Sequence, residues 1–156
     1  MAKTLAQQTG IAIRLHRRFA AARERVFQAW TDPEILKQWW CPNGWVPTEI
    51  EVDLRTGGTY RIGMRRVEGG APVYVYGRFL EVSSPNRLVY TWHWENAFEE
   101  MPETRVTVQF ADSGGATEVV LMHENLPEIP VCLRHRDGWI AAWKRIESIL
   151  VTGDLV

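Results

Sequence analysis

Cysteine is scarce in this chain of 156 residues: Cys41 and Cys132 stand far apart and share no paired spacing. Two such thiols exclude a disulfide framework and read as free groups in a reducing compartment. The four histidines, His16, His93, His123 and His135, form no His-x-x-x-His pair, and no Cys-x-x-Cys accompanies them. Neither a metal nor any other cofactor is therefore expected. The chain also lacks Gly-x-Ser-x-Gly, a phosphate loop and a dinucleotide fingerprint, which removes the common hydrolase and nucleotide-dependent chemistries. Ser83, Ser84, Ser113 and Ser148 fall in turns or on a polar helix face and make poor nucleophiles. The N-terminus carries no long apolar run, so neither a signal peptide nor a membrane span is expected, and the cytoplasm is the default address. A net charge of −1 provides no field that would favour nucleic acid or an anionic membrane. Without repeat, low-complexity tract or linker, the chain reads as one domain over residues 11–152, after a flexible stretch at 1–10.

Tryptophan, by contrast, is abundant, with eight residues. Two of them lie in the longest segment of helical periodicity, from Pro130 to Val151. There Trp139, Ile140, Trp143, Ile146, Ile149 and Leu150 recur at three- and four-residue steps, while Asp137, Lys144, Arg145 and Ser148 fall on the other side. Pro130 suits a first helical turn and Gly153 a stop. A helix of that length needs a broad apolar partner. The preceding chain supplies strands: Ile11, Ile13 and Leu15 alternate first, and two short helices follow. The first of these spans Ala21 to Thr31. The second starts at Asp32-Pro33, a capping residue followed by a proline, with Ile35, Leu36 and Trp39 facing inward. From Trp45 to Glu124 the period is two, and short turns such as Gly57-Gly58, Gly69-Gly70 and Asp112-Ser113-Gly114-Gly115 divide about six strands. Short turns imply an antiparallel meander, because parallel neighbours need crossovers. The expected class is α+β: a bent antiparallel sheet covered on one face by the terminal helix.

The run from Phe19 to Pro33, with Arg25-Val26-Phe27 and Ala29-Trp30-Thr31-Asp32-Pro33, resembles the opening of the SRPBCC (START-like) superfamily. More closely, the chain is similar to the branch homologous to the C-terminal domain of the activator of the heat-shock chaperone ATPase. The likeness continues in Leu36-Lys37-Gln38-Trp39-Trp40, in Asp53 to Arg61, in Tyr76-Gly77-Arg78-Phe79, in Pro85-Asn86-Arg87-Leu88 and in Gly138-Trp139. It covers roughly Arg14 to Leu150, and its specificity lies in the order and spacing of pieces that are individually weak. The resemblance implies the helix-grip fold, in which the sheet grips the C-terminal helix around a cavity. Superfamily relatives use such cavities for lipids, sterols, polyketides and plant hormones, and a few perform chemistry there.

Strand parity then nominates a cavity wall. Tyr60, Ile62 and Met64 share a face, as do Trp92 and Trp94, and Leu121 and His123. Tyr76 is included although the inner face of its strand is ambiguous. Trp39, Trp40, Trp139 and Trp143 come from the helices. His123 is either a polar group that orients a ligand or a hydrogen-bonded structural histidine. His16, His93 and His135 read as surface residues. Glu81 reads as a partner for an outward arginine such as Arg61, or as an acid or base if buried. Arg65-Arg66 and Arg134-His135-Arg136 read as solvated basic clusters. The leading expectation is a carrier of a small apolar or amphipathic molecule. A cavity enzyme of cyclase, dehydratase or hydrolase type, using His123 with Glu81 or a tyrosine, is one alternative. A protein-contact module akin to the chaperone activator is the other. Homodimerisation through the Trp45 loop and the Glu95–Glu103 loop is compatible with all three.

Overall fold

The computed structural model describes residues 10–95 and 101–152. All but Gly10 of the stretch expected to be flexible and most of the polar loop after Glu95 lie outside the described residues. Seven strands form one antiparallel sheet: β1 (Ile11–Phe19), β2 (Trp45–Val52), β3 (Thr59–Arg66), β4 (Val73–Ser83), β5 (Arg87–Glu95), β6 (Thr104–Ser113) and β7 (Ala116–Leu126). Their order is β1-β7-β6-β5-β4-β3-β2, a meander from β2 to β7 with β1 returned beside β7. Between β1 and β2 come α1 (Arg23–Thr31) and α2 (Pro33–Trp39), and α3 (Ile129–Thr152) ends the fold. The observed architecture is thus the expected α+β helix grip.

Local chemistry explains the joints. Asp32 ends α1 and caps α2, its carboxylate accepting the Glu34 backbone N–H at 2.9 Å, with Pro33 in the first turn. α3 is about 36 Å long at 1.5 Å per residue. It lays Val131, Trp139, Ala142, Trp143, Ile146 and Leu150 against the sheet, whereas Ile140, expected inside, is 36% exposed. Leu54 lies beyond β2 and is also exposed.

β4 carries a bulge between Phe79 and Glu81. Val73, Val75, Gly77 and Phe79 face inward on one side of it; past it, Val82 pairs with Leu88 and turns inward while Glu81 pairs with Val89 and turns outward. The extra residue reverses the alternation. Gly77 is required on the inner row because a side-chain carbon there would overlap the Thr91 carbonyl oxygen and crowd its hydroxyl. Gly77→Ala is expected to lower stability by about 1–3 kcal/mol, the usual cost of overpacking. Urea denaturation checks this, and a change under 0.5 kcal/mol would contradict it.

Among the described residues, no helix is long and apolar enough to cross a membrane.

Candidate functional site

The space between sheet and α3 divides along the helix. Beneath its C-terminal half the aromatic rings are packed against each other. Trp143 meets Phe19 and Trp30 with ring centroids 5.6 and 5.7 Å apart, Trp30 meets Trp39 at 5.0 Å, and Phe110 meets Phe27 and Trp30 at 5.3 and 5.6 Å. Tilted and edge-on rings at these distances are ordinary interior packing. Beneath its N-terminal half the described residues leave a space. A hollow of about 130 Å³, partly open to solvent, is walled by Trp40, Trp45, Met64, Trp92, Trp94, Met101, Val131, His135 and Trp139, with Pro42, Arg134, Gly138 and Ala142 completing it. Five of the eight tryptophans thus face the hollow; Trp39 and Trp143 belong to the packed half, and Trp30 packs against both while lining a second, smaller hollow.

The helix periodicity explains the wall on the α3 side, since Val131, His135, Gly138, Trp139 and Ala142 are three or four residues apart. On the sheet side Met64, Trp92 and Trp94 are inward positions of β3 and β5. Trp40 and Pro42 come from the segment after α2. That segment is tied to α3 by Arg145, which donates from Nε to the Trp39 carbonyl at 3.3 Å and from Nη1 to the Asn43 side chain at 2.8 Å. Arg145, read from the sequence as a solvated position, therefore anchors one side of the hollow.

Several nominated wall residues stand elsewhere. Trp39 is buried between the two short helices, its indole N–H donating to the Ala29 carbonyl at 2.9 Å. Trp143 and Leu121 belong to the packed interior. Tyr60 and Ile62 line a second, deeper hollow of about 30 Å³ with Trp30, Leu36, Phe79, Leu88 and Tyr90. Tyr76 lies on the outer face of the sheet, stacked on its cross-strand neighbour His93 with centroids 5.0 Å apart, because the inner row of β4 is the valine–glycine–phenylalanine row.

His123 is wholly buried, and both ring nitrogens are engaged. The Thr104 hydroxyl donates to the Trp92 carbonyl at 3.2 Å, so its oxygen accepts the His123 Nε2 proton at 2.9 Å. Nδ1 is left as an acceptor and takes the Trp139 indole N–H at 3.2 Å. Burial, reinforced by neighbouring His135, holds this imidazole far below its usual pKa, and it stays neutral. His123 is therefore the structural histidine of the two readings: it aims Trp139 and does not itself line the hollow.

His135 corrects the expectation of a surface residue, because it lines the hollow. Its Nδ1 proton donates to the Val131 carbonyl at 2.9 Å, and Nε2 accepts the Trp94 indole N–H at 3.0 Å. Burial lowers its pKa, partly opposed by the Val131 bond, and nearby Arg134 lowers it further. The clue lay in the four-residue steps from Val131 to His135 to Trp139. Glu81 does pair with an arginine, but with Arg87 at 3.2 Å in place of Arg61, and it accepts from Ser83 at 2.8 Å, while Arg61 pairs with Glu95 at 3.4 Å. Glu81 stands on the outer face and His123 on the inner one, so these two side chains do not form an acid–base pair.

The profile of the family described as Activator of Hsp90 ATPase homolog 1-like protein matches residues 20–151. Among solved structures, a Chromobacterium violaceum protein is similar at 29% identity, with 89% of this chain and 96% of that one covered and a TM-score of 0.82. An AHSA1 protein from Silicibacter pomeroyi is similar at 27% identity, covering 92% and 99%, with a TM-score of 0.80. A Nitrosomonas europaea protein is similar at 26% identity, covering 94% and 97%, with a TM-score of 0.78. No curated protein matches the chain.

Proposed function

Because the chain belongs to the family of Activator of Hsp90 ATPase homolog 1-like proteins, whose fold alone names no activity, we propose a function from its own site: the protein binds a small apolar or amphipathic molecule beneath the N-terminal half of α3. The observation that carries this reading is the tryptophan-walled hollow beneath the N-terminal half of α3, beside aromatic rings packed against each other under its C-terminal half. Ligand sites are concave and mostly apolar, with a few placed polar groups. A volume near 130 Å³ is below the common range of about 300–1,000 Å³ for whole drug-sized ligands, so the site suits one ring or a short chain, with any remainder emerging at the mouth. An apolar cavity of about 150 Å³ accommodates a benzene ring. Burial of apolar ligand surface at roughly 25 cal/mol per Å² provides the driving force.

The hydrogen bonds from Trp94 to His135 and from Trp139 to His123 support the same reading, because they hold two indoles as rigid walls. The buried free thiols Cys41 and Cys132 accord with a reducing, cytoplasmic address, which belongs to this proposal. The test is titration of tryptophan fluorescence with single-ring compounds, fatty acids, sterols and polyketide-like aromatics. Saturable quenching by at least one class, with a matching rise in melting temperature, is the expected result. Absence of both for every class would overturn the proposal.

A further inference from the structure

The two hollows share a partition. Trp40 and Trp92 line both, with ring centroids 5.7 Å apart. Trp92 is 5% exposed, and its indole N–H has no hydrogen-bond partner among the described residues. On the deeper side the Trp30 indole N–H also lacks an acceptor in hydrogen-bonding geometry, although it faces the Tyr90 hydroxyl closely enough to offset part of the rise that burial gives that phenol. A buried donor without an acceptor is costly to a fold, and the Trp92 N–H on the wall of a small void marks a place where an acceptor belongs. The deeper void, about 30 Å³, has room for a polar atom or two and no more. Among the described residues no charged side chain lines it, and the Tyr60 hydroxyl is already committed to the Thr91 carbonyl at 2.6 Å.

Resting on the binding function proposed above, we propose that the hollows form one two-part site. The outer part takes a ring, and the partition takes a neutral hydrogen-bond acceptor attached to it, received by the Trp92 N–H. The ligand class is then a neutral aryl carbonyl or related oxygen-bearing ring compound. A carboxylate is disfavoured because its charge would be buried without a cation. A plain hydrocarbon is accommodated but leaves the Trp92 donor unpaired.

Calorimetric titration with ethylbenzene, acetophenone and benzoate tests this on the wild type, Trp92→Phe and Trp143→Phe. The third protein is the control: Trp143 also has an unpartnered buried N–H but lines neither hollow. The expected result is that the affinity for acetophenone relative to ethylbenzene falls about tenfold in Trp92→Phe, the loss of one buried hydrogen bond. The ratio is unchanged in Trp143→Phe, and benzoate binds at least tenfold more weakly than acetophenone to the wild type. An unchanged ratio in Trp92→Phe, or benzoate binding as tightly as acetophenone, overturns this inference and leaves the binding function standing. Failure of all three probes to bind the wild type overturns this inference, and the fluorescence titration across every ligand class then decides the binding function. Should Trp92→Phe not fold, the comparison of benzoate with acetophenone on the wild type decides.

Discussion

His123→Ala is expected to lower the stability of the fold by about 3–5 kcal/mol at pH 7.5, a large share of the roughly 5–15 kcal/mol that a domain has. The ring is wholly buried among Trp92, Trp139 and His135. Its removal opens a cavity and also strands the Trp139 N–H, whose acceptor it is. Substitution of His16, an exposed side chain paired with Glu118, is the comparison and is expected to cost little. The same burial makes stability depend on pH. In the fold, His123 and His135 both have pKa values below the ordinary histidine value of 6.5. The unfolded chain therefore takes up protons first as the pH falls. Stability is full above about pH 6.5 and drops below it, by up to about 1.4 kcal/mol per pH unit for each of the two, until the folded form is protonated as well. Urea denaturation at pH 7.5, 6.5 and 5.5 measures the slope. His123→Ala should lose its share, with the His135 share remaining. A wild-type slope of zero over this window would contradict the assignment of two neutral buried imidazoles.

Gly138→Leu is expected to abolish ring binding, by about a hundredfold, on the scale of the 1.5–3 kcal/mol that burial of an apolar group provides. Gly138 lies within α3 and lines the hollow. A glycine in a helix interior costs about 1 kcal/mol relative to alanine. Nothing in the packing demands it: the nearest atom to a side-chain carbon placed there would be Pro42 Cβ at 4.0 Å, ordinary contact. A local rule broken without a structural reason, on the wall of the hollow, is what a site that needs room looks like. Gly138→Ala should accordingly raise stability by about 0.5–1 kcal/mol while narrowing the space, and leucine should fill it. Stability and binding then move in opposite directions, which a purely structural role for the glycine would not produce.

Periodicity made much of this architecture legible. Three- and four-residue steps marked α3, and alternation marked the inward rows of β3, β5 and β7. The closing pair β1–β7 and the bulge in β4 were not visible, because pairing partners and an inserted residue leave no local trace in composition. That bulge is why Glu81 points outward. Tyr76 was misplaced for a simpler reason: its strand has aromatic residues on both faces, so hydrophobicity alone could not orient it. His135 was masked by its neighbours Arg134 and Arg136, which gave a half-buried wall position the look of a basic surface cluster. The division of eight tryptophans between packed core and hollow depends on ring orientation and tertiary contact, and residue spacing carries neither.

The central claim is that the unfilled half of the grip is a binding site. Its most direct test is parallel calorimetric titration of the wild type and Gly138→Leu with ethylbenzene. Saturable heat with one site in the wild type and none in the leucine variant, both proteins being folded, is the predicted result. Equal heats in the two proteins, or no heat in the wild type, would contradict it.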